Sequence, residues 1–251
     1  MRNILIFGAT ASMAQACIRM WAQQFTAVTF ICVARDAQKL QAQVTDLQIR
    51  FPHAVFESHA VDFACAEALT QQIDTICKHH PQLDQVLLAQ GCMYQAEDHL
   101  TAAQLTDMLD VNVASVAVIL NALYAKIATQ SHTIQIAVIG SVAGDRGRKA
   151  NYAYGASKAF VACYVEGLQH RIALEQSQVQ LSLVKPGPTA TAMTAHLTAT
   201  GKKLASVEAV AEQIVKGMAC GQRIIYTPKI WQIIMRIIRH IPFFIFKKLD
   251  I

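Results

Sequence analysis

Charge is scarce in this chain. Asp, Glu, Lys and Arg make up 16% of its 251 residues, where ordinary soluble domains carry about a quarter. With 53% hydrophobic residues, the shortage excludes a disordered chain and points to a large subunit interface or an apolar contact surface. The body of the chain also lacks a basic cluster, so the net charge of +5 gives no nucleic-acid footprint. No two of the cysteines 17, 32, 65, 77, 92, 163 and 220 are spaced C-x-x-C. Odd in number and mostly in apolar segments, they read as reduced, buried small hydrophobes in a cytosolic setting. The histidines form no His-Glu-x-x-His, and no metal site is expected. An apolar strand and a glycine turn begin almost at once, unlike a signal peptide. Internal repeats and low-complexity linkers are absent too, and the length fits one large domain.

What is present is a regular alternation. Short apolar runs at 4–7, 28–33, 54–58, 84–89, 134–139, 179–184 and 223–226 read as strands. Helical stretches are expected at 12–24, 37–49, 64–79, 101–128, 152–175 and 206–219, the 101–128 stretch with an early break. Leu40, Val44 and Leu47 show the helical spacing, Pro81 closes a unit, and Asp36 and Ser206 sit where caps belong. The strands are apolar throughout rather than alternating, so both faces of the sheet are expected to be covered. That predicts an α/β chain with a doubly wound, mostly parallel seven-stranded sheet between helical layers, a Rossmann fold. An α/β barrel is the alternative; the early glycine turn and only about seven strands favour the open sheet. Residues 1–228 would form this unit and 229–251 a C-terminal segment.

The first turn reads Gly8-Ala9-Thr10-Ala11-Ser12-Met13-Ala14. A glycine directly after a strand and before a helix lets unpaired helix N–H groups face a pyrophosphate. Small residues at 12 and 14 allow close backbone approach, although a bare tight turn would look the same. Arg35 lies at the end of the second strand, where an adenosine ribose would lie. A carboxylate there suits NAD, and a basic side chain accommodates a 2′-phosphate. The expected cofactor is therefore NADP(H); the plain alternative for Arg35 is a solvated surface charge.

Further along come Ser141-Val-Ala-Gly-Asp-Arg-Gly and Asn151-Tyr152-Ala-Tyr154-Gly-Ala-Ser157-Lys158. With these the sequence strongly resembles the short-chain dehydrogenase/reductase family over most of its length. Tyr154 and Lys158 match the family's Tyr-x-x-x-Lys pair, Ser141 its catalytic serine and Asn112 its helix asparagine. Gly8, Ser12 and Ala14 fall at the glycine positions of its cofactor turn. The resemblance further implies adenine contact by Asp62, cofactor contact by Ala89 and Gly91, and a nicotinamide-holding segment at Pro186, Gly187 and Thr191. Glycine has become Ser12 and Ala14, and the usual Asn-Ala-Gly is Ala89-Gln90-Gly91. The chemistry stands on its own as well. Tyr154 and Lys158, four apart, share a helix face. An ammonium near a phenol favours phenolate and makes the tyrosine an acid–base group. Ser141 would hold a carbonyl oxygen. The resemblance implies that Lys158 also holds the nicotinamide ribose and that Asn112 supports a water relay. Tyr152 reads as packing or pocket wall, and Ser157 as packing near the cofactor. A homodimer or homotetramer is implied as well.

The turn and the tail narrow the resemblance to a subgroup that contains reductases of a keto-sugar carried on a polyprenyl phosphate. The tail, residues 230–246, is apolar but interrupted by Arg236, Arg239 and His240, too short in its apolar runs to span a bilayer. It reads as a basic amphipathic helix broken at Pro242. Three roles stay open: peripheral contact with a membrane's inner face, packing on protein, or a substrate lid. The expected activity is NADPH-dependent reduction of a ketone or keto-sugar carbonyl, a lipid-linked one included, with Tyr154 as general acid. Another alcohol or ketone substrate, and a non-catalytic NADPH-binding protein, are the alternatives. Specificity is expected in residues 91–99 and 188–200.

Overall fold

The computed structural model describes residues 1–94, 99–195 and 204–249. Seven strands form one sheet in the order β3-β2-β1-β4-β5-β6-β7. They are β1 Arg2–Phe7, β2 Val28–Ala34, β3 Val55–Ala60, β4 Gln85–Leu88, β5 Ile134–Ile139, β6 Val179–Pro186 and β7 Ile224–Thr227. Every neighbouring pair is parallel. The order reverses at β1, between β2 and β4, which is where ligands lodge in open parallel sheets.

Period-two alternation within the strands divides the core. Ile4, Ile6, Phe30 and Cys32 point to one face and meet Ile18 and Trp21 of α1 (Ser12–Gln24) and Leu40 and Leu47 of α2 (Ala37–Arg50). Leu5, Phe7, Ile31 and Val33 point to the other and meet Leu69 and Ile73 of α3 (Ala66–His79). Asp36 caps α2 through the Lys39 N–H at 2.9 Å, and Thr101 and Gln104 form a capping box at the start of α4 (Ala102–Leu109).

The helical run that begins at α4 is interrupted by a π turn at Asp110–Ala114 before α5 (Ser115–Ile127). One extra residue in the turn shifts the helix face, and such insertions gather at functional sites. Here the shifted residue is the buried Asn112. The long helix α6 (Tyr152–Leu174) lies against β6, and α7 (Val207–Ala219) packs on α1.

Two expectations need correction. β3 is not apolar: it carries Glu57, Ser58 and His59 in a row and buries only Phe56, because it is an edge strand whose outer positions reach solvent. The cysteines are not mostly buried. Only Cys17 and Cys32 are, while Cys163 and Cys220 are exposed and all seven are free.

The tail forms α8 (Ile230–His240) and, after Pro242, the short α9 (Phe243–Phe246). Met235 is fully buried where α8 meets β7 and the turn Val142–Asp145. Arg146 donates to the Ile238 carbonyl near the end of α8, and its guanidinium lies 3.8 Å from the Phe246 ring centroid. Beneath this contact sits a buried ion pair, Lys185 Nζ to Asp145 Oδ1 at 2.5 Å. The Tyr226 hydroxyl donates to the other Asp145 oxygen at 2.8 Å. Removing one member of such a pair leaves a buried charge uncompensated, which costs roughly 3–5 kcal/mol. Asp145→Leu should therefore lower the unfolding free energy by about that much in urea titrations, and Asp145→Leu combined with Lys185→Met should recover most of the loss. Equal stability of the single and double variants would show that the pair carries no such cost.

Candidate active site

A cleft of about 800 Å³ opens at the C-terminal ends of β1, β4, β5 and β6, within the usual size of a small-molecule site. Its floor begins at Gly8. This residue sits at φ +72°, and a Cβ there would lie 2.4 Å from the Gln90 backbone nitrogen. Only glycine meets both demands. The chain then enters α1, whose N-cap Ala11 makes no side-chain cap bond and whose first turn holds no carboxylate. The free N–H groups suit an anion. Thr10, Ser12 and Met13 line this end, and Ala14 is buried in the core behind it. Opposite lie Ala89, Gln90 and Gly91. Gln90 reaches Ser115 through Nε2 at 3.2 Å, while its buried Oε1 has no partner among the described residues.

The reactive side chains meet where the turn after β5 presses on α6. Gly144 makes that possible, since a Cβ there would stand 2.7 Å from the backbone carbon of Lys158. Ser141 caps the turn, its Oγ accepting from the Ala143 N–H at 3.1 Å. Tyr154 and Lys158 project from α6 into the same cleft, with Nζ 5.8 Å from the phenol ring centroid. The buried ammonium donates to the Ile139 carbonyl at 3.1 Å.

Burial dominates the electrostatics of this pair. It pushes the Tyr154 phenol up to about 12, against a smaller lowering by the Ser141 hydroxyl. Burial likewise pulls the Lys158 ammonium down to about 8. The expected tilt of Tyr154 toward phenolate is thus reversed in the free protein. Desolvation of the phenolate outweighs the lowering by the Ser141 hydroxyl, and burial favours the neutral tyrosine.

Asn112 does not line the cleft. Its Oδ1 accepts from the Cys92 N–H at 2.9 Å, and its Nδ2 donates to the Cys92 carbonyl and to Ser157 Oγ. Its side chain thus ties the segment following β4 to α6. Ser157 is buried in this network, also donating to the Tyr154 carbonyl at 2.8 Å. Tyr152 is neither packing nor pocket wall: it is 61% exposed and outside the cleft, because two residues along a helix turn it away from Tyr154.

At the adenosine end Arg35 lines the cleft, joined by Lys39 from the first turn of α2. Arg35 faces a carboxylate, Asp107 Oδ1, at 3.9 Å. The Tyr94 hydroxyl donates to the same carboxylate at 2.5 Å. Asp62 is exposed and outside the lining; its Oδ1 accepts from the Ala64 N–H at 3.0 Å, and the neighbouring Phe63 lines the cleft instead. At the far end Pro186, Gly187 and Thr191 border the cleft, and the Trp231 indole lies directly over Gly187. Trp231, Lys39, Tyr94 and Arg148 were not anticipated as lining residues. Lys39 alone had a sequence signal, one helical turn after Arg35. Of the expected specificity segments, residues 95–98 and 196–200 lie outside the described residues.

A nucleotide-type turn, a neutral phenol and a buried ammonium in one cleft of a parallel sheet define an oxidoreductase of the Rossmann kind. A family model described as short chain dehydrogenase matches residues 2–202, and the chain belongs to that family. An uncharacterized oxidoreductase of Mycobacterium tuberculosis strain H37Rv is 26% identical over 249 residues, covering 98% of this chain and 96% of that protein. A short-chain dehydrogenase from Sphingobium yanoikuyae in complex with NADPH superposes with a TM-score of 0.80 at 19% identity, covering 97% of each chain. A short-chain dehydrogenase/reductase from Burkholderia phymatum in complex with NAD gives 0.81 at 18% identity, covering 94% of this chain and 92% of that one.

The Lys158 pKa has a consequence for stability. The unfolded chain holds this proton up to about 10.5 and the folded one only to about 8. Between those values the unfolded state binds more protons, so stability rises with pH. Across that window the native protein should gain about 3 kcal/mol relative to Lys158→Met, read from denaturant unfolding of both proteins. A pH-independent difference between them would show that the ammonium is not desolvated.

Proposed function

We propose that the protein is an NADPH-dependent reductase of a ketone or keto-sugar carbonyl. The observation that carries this reading is the convergence of Tyr154, Ser141 and Lys158 on one cleft. A nicotinamide dinucleotide fits the residues present: the Gly8 turn leaves no room for a side chain, the α1 N-terminus is uncapped, and Gln90 Oε1 lacks a partner. That cofactor would supply the hydride received by the carbonyl carbon. Thr10 to Met13 would hold its pyrophosphate, and Pro186, Gly187 and Thr191 would border its nicotinamide.

The chain's own part is proton handling and charge stabilisation. Ser141 donates a hydrogen bond to the substrate oxygen, which gains negative charge as the carbonyl is reduced. Tyr154 passes its phenolic proton to that oxygen. Lys158 then stabilises the phenolate left behind and holds the ribose. Asn112 positions the segment after β4 and the Tyr154 turn of α6 rather than touching substrate. Arg35 and Lys39 together favour a 2′-phosphate, and the neighbours bound to NADPH or NAD admit either cofactor in this fold.

The narrower likeness to reductases of polyprenyl-phosphate-linked keto-sugars rests on the turn and tail sequences alone. Free cysteines support a reducing, cytoplasmic setting. A homodimer or homotetramer belongs to the same reading, supported by exposed Phe160 and Leu174 on α6.

NADPH oxidation against a panel of keto-sugars and simple ketones tests the activity. Tyr154→Phe should lower kcat by about 10²–10⁴-fold while NADPH still binds; unchanged turnover would overturn the assigned acid, and binding without turnover on any carbonyl would favour a non-catalytic NADPH-binding protein. Arg35→Ala should weaken NADPH about tenfold or more and spare NADH. Asp107→Asn should do the reverse, tightening NADPH severalfold, since it removes the carboxylate competing for Arg35. Equal effects on both cofactors, in titrations of intrinsic fluorescence, would remove the 2′-phosphate role.

A further inference from the structure

The helix α8 has three faces. Trp231, Met235 and Ile238 turn inward, against the cleft, β7 and the turn Val142–Asp145. Arg236, Arg239 and Lys229 form a basic edge in solvent. Between these lies an apolar row that the described residues leave largely open: Ile230, Ile233 and Ile237, spaced i, i+3 and i+7, with Ile233 59% and Ile237 62% exposed. The row continues beyond Pro242 into Phe243 and Phe244, 73% and 65% exposed. Lys247 and Lys248 follow at once. Stability of the monomer does not explain these side chains, because the inward face already fixes the helix.

We propose that this outer face of α8 and α9 is a docking surface for an anionic lipid bilayer. Charge decides the occupant. Residues 229–251 carry five cations, Lys229, Arg236, Arg239, Lys247 and Lys248, against one acidic side chain, Asp250. A second copy of the chain docked through the same face would bring each set of five against an identical set, desolvated and unpaired. An anionic headgroup layer instead pairs with every one of them, and attraction to such a layer adds with each basic residue near it. The apolar row then enters the boundary between headgroups and acyl chains, where Phe243 and Phe244 at the Pro242 bend are well suited to sit. The chain has no need of a spanning segment for this, and the long basic side chains keep their charges at the headgroup level while their stems lie on apolar surface.

The docking itself is independent of the substrate assigned above. A water-soluble ketone should therefore be reduced at the same rate by variants that no longer dock.

The test is co-sedimentation of the full chain with vesicles of phosphatidylcholine alone and of phosphatidylcholine mixed with phosphatidylglycerol. Binding is expected to the mixed vesicles and to weaken as salt is raised, since screening shortens the reach of the charges. The variant Ile233→Ser, Ile237→Ser, Phe243→Ser, Phe244→Ser should bind at least about tenfold more weakly, and so should Arg236→Gln, Lys247→Gln, Lys248→Gln. Ile49→Ser, equally apolar and exposed but on α2, should bind like the native chain. Unchanged melting temperature and NADPH binding in each variant separate lost docking from lost folding. Two results overturn the proposal: sedimentation that is the same with and without phosphatidylglycerol, or tail variants that leave vesicle binding intact. A dimer in analytical ultracentrifugation that falls apart in the serine variant, with no vesicle binding by the native chain, would assign the face to a second copy instead.

Discussion

A buried ammonium beside a half-buried phenol is the constraint on which the rest of the structure depends. Lys158 is 3% exposed and keeps a single carbonyl partner. Holding such a group out of water costs free energy that the rest of the fold must offset. The sheet does so with apolar side chains on both faces, packed by helices on each side. It also keeps the pair rigid. The turn carrying Ser141 is wedged on α6 by the missing Cβ of Gly144, and Asn112 ties the segment after β4 to the same helix. The serine, the phenol and the ammonium cannot drift apart without opening one of these contacts.

The same burial explains why the free protein stores a proton on Tyr154. In water, an ammonium one helical turn away would favour phenolate. In the cleft, the loss of water disfavours charge on both groups, and the neutral forms gain. A carbonyl oxygen that gains charge meets a group already poised to neutralise it, with Ser141 alongside.

Local rules made much of the fold readable. β1, α1 and β5 announce themselves by apolar runs, a glycine turn and helical spacing, so Gly8, Tyr154 and Lys158 could be placed on a sheet end and a helix face without coordinates. Where the sequence misled, long-range packing had intervened. β3 becomes polar because it ends the sheet, and the number of neighbours is invisible in a six-residue run. Trp231 lines the cleft only because the tail folds back over Gly187, forty-four positions earlier in the chain. Asp107 weakens Arg35 by facing it across two elements. The pairing of Lys185 with Asp145 joins a strand to a turn, and neither residue carries a local sign of it. Asn112 was placed correctly on its helix, but the π turn that aims it at Cys92 follows from no periodicity.

Asp145 has a further meaning for how such a sequence can change over generations. One carboxylate is shared by Lys185 and Tyr226, and the next residue, Arg146, grips the end of α8. A descendant that loses Asp145 keeps an orphan cation under its reactive serine unless Lys185 is replaced in the same lineage. The three positions therefore drift as a set, and the tail inherits their fate through Arg146. Divergence in the outer helix is free to be rapid only where that grip is preserved.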